Sequence, residues 1–171
     1  MKTEIPGYIW QFILQWEGGP KITNDPMDTG GVTKYGISQQ ANPDLDIRSL
    51  TESQARSVYV DRYWNAAHCN ELPGYMQLLV FNCAVNCGVT RSIKILQRAI
   101  GADPDGKYGA DTRSKAIGTR AGPKQFAINY ASWLMVHYMK IIITRPGQIK
   151  FARGWFSRTA DAVYVTSSNQ R

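Results

Sequence analysis

Glu17, Asp25 and Thr33 fall within one stretch, Trp16 to Ser38 (WEGGPKITNDPMDTGGVTKYGIS), whose residue types could do acid chemistry. Ile9, Phe12, Ile13 and Trp16 recur at helical spacing and predict one apolar helix face. Gly18 and Gly19 are the stop signal, because a left-handed residue at a helix end costs glycine little. Glu17 therefore closes the helix. A carboxylate there meets the negative end of the helix dipole, beside a tryptophan and above an apolar face. Dipole and desolvation both favour its protonated form, which is what a general acid requires. Asp25 and Asp28 lie among Thr23, Asn24 and Thr29, whose polar groups can keep a carboxylate ionised. A protonated glutamate facing an ionised aspartate is the two-carboxylate arrangement of glycoside hydrolysis. Asp25 is open to that role and to turn chemistry alike, and Asp28 reads as a turn former.

The elements around this stretch follow from local pattern. Residues 39–50 read as a loop broken by Pro43. Thr51 can cap a helix running to Trp64, with Gln54 completing a capping box and Ala55, Val58 and Tyr59 on its apolar face. Tyr75 to Cys87 is apolar nearly all round and predicts a central buried helix. Thr90 is placed to cap the next one, whose face is Ile93, Leu96, Gln97 and Ile100. After a turn at Asp105-Gly106, Asp111 or Thr112 can cap a further helix. Gly122-Pro123 opens a long helix to about Ile143, with proline in its favoured first-turn position. Its stripe is Phe126, Tyr130, Trp133, Leu134, His137, Tyr138 and Ile141, and His137 reads as a satisfied core histidine. A last helix carries Ala160, Val163 and Tyr164, and the tail from Thr166 to Arg171 is polar.

The motifs resemble a known family. Glu17-Gly18-Gly19, Asn24-Asp25-Pro26, Asp28, Gly30-Gly31, Thr33 and Tyr35-Gly36-Ile37 are similar to the signature of the glycoside hydrolase family 108 muramidases, lysozyme-like enzymes of phages and bacteria. Tyr63-Trp64 and Phe151-Ala152-Arg153-Gly154-Trp155 resemble further elements of that family. So does the segment from Leu96, LQRAIGADPDGKYGADT, which has the pattern of small helical peptidoglycan-binding modules. The resemblance implies a predominantly α, lysozyme-like helical fold with a short β-hairpin or extended segment after the catalytic helix. It implies a catalytic lobe over residues 1–90 and a peptidoglycan-binding-like helical part over 91–171, packed as a single unit. It implies Glu17 as the acid, with Asp25 and Thr33 as its polar partners; Tyr35, Asn82 and Asn86 are candidate substrate contacts, Asn82 being open also to a simple hydrogen-bonding role and Asn86 to that of a buried amide bonding backbone. The chain departs from the pattern in three places. Pro20 stands where the family often has an aromatic, Lys34 where it often has asparagine, and Asn82 where aspartate is common.

Composition limits the alternatives. The 171 residues suffice for one sizeable core. With 20 basic and 13 acidic residues the formal net charge is +7, which suits a polyanion such as the bacterial wall. The basic residues form no block, which argues against a nucleic-acid arm. No apolar run approaches a spanning helix, so stable membrane insertion is not expected, and no signal peptide is visible. An endolysin of this kind would be made in the cytoplasm and reach the wall through a lesion made by a holin-type partner; a bacterial wall-remodelling or export-assisting protein fits as well. A monomer without cofactor is expected. Cys69, Cys83 and Cys87 are an odd set without a framework spacing and read as small buried residues in a reduced protein. His68 and Cys69 are neighbours whose side chains should diverge, which disfavours a cysteine hydrolase. Asp103 and Asp105 lack the further oxygens of a calcium loop, and a metal site is not expected.

Overall fold

The computed structural model describes residues 4–24 and 31–168. Asp25, Pro26, Asp28 and Gly30 of the signature lie outside the described residues, as do the last three residues of the tail. Seven α-helices and one two-stranded antiparallel sheet are present among the described residues. The chain divides into two compact units, Met1–Arg62 and Tyr63–Arg171.

The first unit holds α1 (Gly7–Trp16), the hairpin β1 (Thr33–Lys34) and β2 (Ile37–Ser38), and α2 (Glu52–Tyr59). α1 buries Ile9, Trp10, Phe12 and Ile13, as the helical spacing predicts. It ends at Glu17, after which Gly18 and Gly19 take φ of +83° and +55°. The hairpin pairs Thr33 with Ser38 and Lys34 with Ile37, leaving Tyr35 and Gly36 as a two-residue turn. Both turn residues have positive φ, +54° and +73°, the backbone twist that two-residue hairpins favour. α2 starts on the expected capping box: the Thr51 hydroxyl accepts from the Gln54 amide, and the Gln54 carboxamide accepts from the Thr51 amide at 2.8 Å. Trp10 joins the two helices. Its indole N–H donates to Glu52 at 2.8 Å, its ring meets Tyr59 edge-on at 5.4 Å, and the Arg56 guanidinium lies 6.0 Å from its centroid. Arg56 also donates to the carbonyl of Ile5.

A π-type turn, Val60–Trp64, follows α2, where an uninterrupted helix to Trp64 was expected. The second unit is helical. α3 (Gly74–Cys87) is its centre, with α4 (Val89–Ala99), α6 (Pro123–Thr144) and α7 (Ala152–Ser168) packed around it; α5 (Ala110–Gly118) follows the turn after α4. α3 buries eight of its side chains, in keeping with its all-round apolarity. Trp64 is buried edge-on against Phe81 at 5.1 Å, so it serves the core. The expected boundary between residues 90 and 91 falls within the first turn of α4.

Three expectations need correction. Thr90 does not cap α4; the capping position falls two residues earlier, on Gly88, whose φ is +87° and which makes no side-chain cap hydrogen bond. Neither Asp111 nor Thr112 caps α5, because the helix starts at Ala110 and both lie inside it. Asp111 pairs instead with Lys115 at 3.0 Å. On α7 the inward face is Ala152, Arg158, Thr159, Ala162 and Thr166, while Ala160 and Tyr164 are exposed. A hydropathy reading misses this face because its central residue is an arginine. Trp133 of α6 is likewise partly exposed, lying under the Arg98 guanidinium at 5.1 Å.

The segment from Leu96 is organised by one buried side chain. The Gln97 carboxamide nitrogen is within hydrogen-bond distance of Asp105 Oδ1 (2.8 Å), the Lys107 carbonyl (3.0 Å) and Thr112 Oγ1 (3.0 Å). Its oxygen accepts from the Gly106 amide at 2.8 Å. Gly106 has φ of +84°, and a Cβ there would stand 2.8 Å from Lys94 Cε and 2.9 Å from Thr90 Cγ2. The spacing of Gln97, Asp105, Gly106 and Thr112 is thus that of a stapled turn. The Lys107 amide and the Gln97 carboxamide hold the Asp105 carboxyl below the usual carboxylate range.

Gln97→Leu should cost roughly 3 kcal/mol, since it strands several polar groups at once; urea unfolding reads this as a lowered midpoint. Because the Asp105 carboxyl titrates lower in the folded chain, its charge stabilises above the unfolded value of about 3.9. That contribution is lost as pH falls through the folded value. Wild type should therefore exceed Asp105→Asn in stability at pH 6, with the gap closing in acid.

Candidate active site

The residues with the strongest chemical signal in the first unit meet at the hairpin turn. Glu17 caps the C-terminus of α1, and its amide still donates to the Ile13 carbonyl at 2.9 Å. The Tyr35 amide donates to the Gly19 carbonyl at 2.9 Å, which ties the Glu-Gly-Gly corner to the Tyr-Gly turn. The Thr33 amide and carbonyl pair with those of Thr23 at 2.8 and 2.9 Å, anchoring the strand that leads into the turn. The Thr33 hydroxyl is directed to the Gly31 carbonyl at 3.4 Å.

Gly36 sits at the point of closest approach. A Cβ on it would lie 2.7 Å from the Tyr59 hydroxyl, 2.8 Å from Glu17 Oε2 and 2.9 Å from Glu17 Cβ. The carboxylate of Glu17 and the phenol of Tyr59 therefore both press against the bare Cα of Gly36. The Tyr59 hydroxyl donates to the Tyr35 carbonyl at 2.9 Å, a buried bond that holds the turn from the opposite side. Tyr59 is fixed in turn by its edge contact with Trp10. The acid thus rests on a support of Gly36, Tyr59 and Trp10 and is only partly buried itself. This is a geometry in which a carboxyl group is held in place while one side stays accessible.

The other expected site residues are placed as follows. Asp25 lies outside the described residues. Thr33 stands on β1, within the same hairpin as Tyr35. Tyr35 is buried, with the Lys34 ammonium 5.6 Å from its ring centroid; its backbone holds the turn. Asn82 and Asn86 belong to α3 in the second unit. Asn82 is buried, and its Oδ1 accepts from Arg158 Nε at 2.7 Å. Asn86 is exposed and donates to the Tyr138 hydroxyl at 2.8 Å. Gly36 and Tyr59 were legible in the sequence only as a motif glycine and an apolar helix position. Neither pattern carries the information that both abut Glu17.

The cysteine–histidine alternative fails at His68. That ring stacks on Tyr108 at 4.5 Å and meets Glu71 Oε1 at 2.9 Å, while Cys69 is fully buried, where desolvation pushes its thiol up. Glu71 also receives Arg113 at 3.4 Å. All three cysteines are free.

Residues 10–88 match the glycosyl hydrolase 108 family. The matched segment runs from Trp10 through Glu17, the hairpin and Tyr59 to Gly88, and so contains the whole arrangement around Gly36. A solved structure of Brucella abortus SagA superposes with a TM-score of 0.73 and 21% identity, covering 98% of each chain. At that identity the likeness establishes the fold, which is predominantly helical with a small antiparallel hairpin. No curated protein is significantly similar to this chain. The match over residues 10–88 supports glycosidase activity of the peptidoglycan-hydrolase, lysozyme-like kind.

Gly36→Ala should displace the Glu17 carboxylate and strain the turn, since an L side chain at φ +73° is disfavoured before any clash is counted. Misplacing a catalytic group by about 1 Å costs on the order of 10²-fold in rate. On the proposal below that Glu17 is the acid, hydrolysis should fall by about that factor while the helical circular dichroism signal is retained.

Proposed function

We propose that the chain is an N-acetylmuramidase that cleaves the peptidoglycan glycan strand with Glu17 as general acid. The observation that carries this reading is the seating of Glu17 against Gly36 and Tyr59 within the glycosyl hydrolase 108 segment. The acid protonates the glycosidic oxygen between N-acetylmuramic acid and N-acetylglucosamine. Positive charge develops on the sugar as the bond breaks, and the Asp25 carboxylate stabilises it. Thr33 holds the water or the sugar from the strand beside the acid. Asp25 acts as nucleophile if its carboxyl lies about 5–5.5 Å from that of Glu17, and as base to a water if the gap is about 6.5–9.5 Å.

The remaining expected contacts take supporting roles in this reading. Tyr35 holds the turn through its backbone, Asn82 is committed to Arg158, and Asn86 to Tyr138. The net charge of +7 favours approach to the anionic wall. The stapled helical segment after Leu96 supplies a wall-binding surface in the second unit. In the organism the reading is of a phage endolysin, acting as a monomer on the wall after release by a holin-type partner.

Glu17→Gln should lower turbidity loss of purified peptidoglycan by about 10²–10⁴-fold, the usual contribution of proton transfer. Mass spectrometry of the fragments should find new reducing ends on muramic acid with wild type alone. Equal activity in both proteins would remove Glu17 as the acid. Wall binding by both without release of fragments would leave a binding protein in place of a hydrolase.

A further inference from the structure

The second half of α6 turns apolar side chains away from the core. Phe126, Tyr130, Leu134 and Tyr138 fill its inward stripe. Met135, Val136, Met139 and Ile143 lie on the opposite side and are exposed, Ile143 to 72%. The short 3-10 segment Pro146–Phe151 packs against α6 and adds Ile149 and Phe151, exposed to 59% and 46%. Single apolar residues on a surface are ordinary, but a cluster is not. Of the twelve large apolar side chains exposed among the described residues, seven fall between Trp133 and Phe151. A helix apolar all round belongs in a core. Half of this one faces water.

The charge around this face has one sign. Residues 112–160 include nine basic residues and no acidic one. Lys140, Arg145, Lys150 and Arg153 alternate along the chain with the exposed apolar residues and are themselves exposed. None of the four forms an ion pair among the described residues. The Lys150 ammonium lies 5.0 Å from the Phe151 ring centroid. From behind, the face is fixed by α7: Tyr138 is stacked on Trp155 at 5.0 Å, and Phe151 meets the same tryptophan at 6.1 Å. Apolar exposure and unpaired positive charge together select the occupant. A second copy would bring this cationic face against its own image, with no acid between residues 112 and 160 to meet it. A soluble polyanion would match the cations and leave the apolar side chains in water. An anionic bilayer answers both. Its headgroups meet lysine and arginine, while methionine, isoleucine and phenylalanine enter the boundary between headgroups and acyl chains. No helix among the described residues is long and apolar enough to cross a membrane, so the contact is with the surface.

We propose that the outer side of α6 from Met135 to Ile143, together with Ile149 and Phe151, docks the chain on an anionic lipid surface. The outer positions of the first half of α6 carry Gln125, Asn129 and Ser132 beside Ile128, and Gln125 donates to Asn129 at 2.8 Å. The C-terminal end of the helix is therefore the one that dips below the headgroups. Met139 and Ile143, one turn apart, lead it, with Lys140, Arg145, Lys150 and Arg153 at headgroup level. The contact involves neither Glu17 nor hydrolysis, so it stands or falls apart from the proposed activity.

The test sediments the native protein with extruded vesicles at about 0.15 M salt, where exposed charges more than about 8 Å apart are screened. Vesicles of phosphatidylcholine alone are compared with vesicles containing about one third phosphatidylglycerol, an anionic lipid. Binding to the anionic vesicles is expected, at least about tenfold tighter than to the neutral ones. Lys140→Gln with Lys150→Gln should weaken it about 25-fold, about fivefold for each cation near the surface. Met139→Ser with Ile143→Ser leaves the charge intact and should weaken it about tenfold. Arg113→Gln with Lys115→Gln removes the same net charge from cations already paired with Glu71 and Asp111. That control should change binding by less than about threefold. No binding to anionic vesicles, or equal binding to neutral ones, would overturn the proposal. Undiminished binding by the serine variant would show a surface for polyanions instead, and equal loss in the two charge variants would show an effect of net charge; either overturns it. A dimer in light scattering that the serine variant breaks would give the face to a second copy and overturn it too.

Discussion

Gly36 has no Cβ, and the first unit closes around that absence. Three elements distant in sequence converge there: the end of α1 through Glu17, the hairpin turn through Gly36 itself, and α2 through Tyr59. A methyl group at that point would overlap both side chains. The turn is also pinned from two sides, by the Gly19 carbonyl accepting from Tyr35 and by the Tyr59 hydroxyl donating to the Tyr35 carbonyl. Tyr35 accepts a left-handed backbone, which costs a non-glycine residue on the order of 1 kcal/mol or more. These hydrogen bonds over-determine the conformation and offset that cost. A carboxyl group so seated has little freedom to turn away, and pre-positioning of this kind is a large part of what a general acid contributes.

The second unit solves a different problem by similar means. Its core is mostly apolar, but buried polar side chains set the geometry at defined points. Gln97 staples the turn after α4, Ser92 donates to the Val80 carbonyl at 2.6 Å and meets the Tyr130 hydroxyl at 2.9 Å, and Asn82 receives Arg158. Buried polar groups are expensive unless satisfied, so each such network admits few alternative packings. Asn82 is informative here. The family resemblance put a polar residue at this position and suggested a role toward substrate. The structure uses it to receive a buried arginine, and this is how a helix face with a charge at its centre can still face inward.

Much of the fold was legible in sequence because it rests on local rules. The apolar spacing before Glu17, the left-handed glycines after it, the capping box at Thr51, the all-round apolarity of α3 and the proline opening α6 each depend on residues within a turn or two. The errors came where a distant partner overrode local preference. Thr90 and Asp111 have good capping chemistry, but the helices begin before them. The face of α7 was misplaced because Arg158 is buried through Asn82, 76 positions away.

For the site, sequence determined which residues have the right chemistry: an acid at a helix end, a glycine pair behind it and a Tyr-Gly turn ahead. Those are matters of residue type and short spacing. Only the tertiary structure decided that Gly36 and Tyr59 form the seat of Glu17, and that Asn82 and Asn86 are engaged with Arg158 and Tyr138. Each of these is a contact between elements far apart along the chain. A side chain's periodicity reports which way it faces relative to its own helix, and carries no record of what stands opposite.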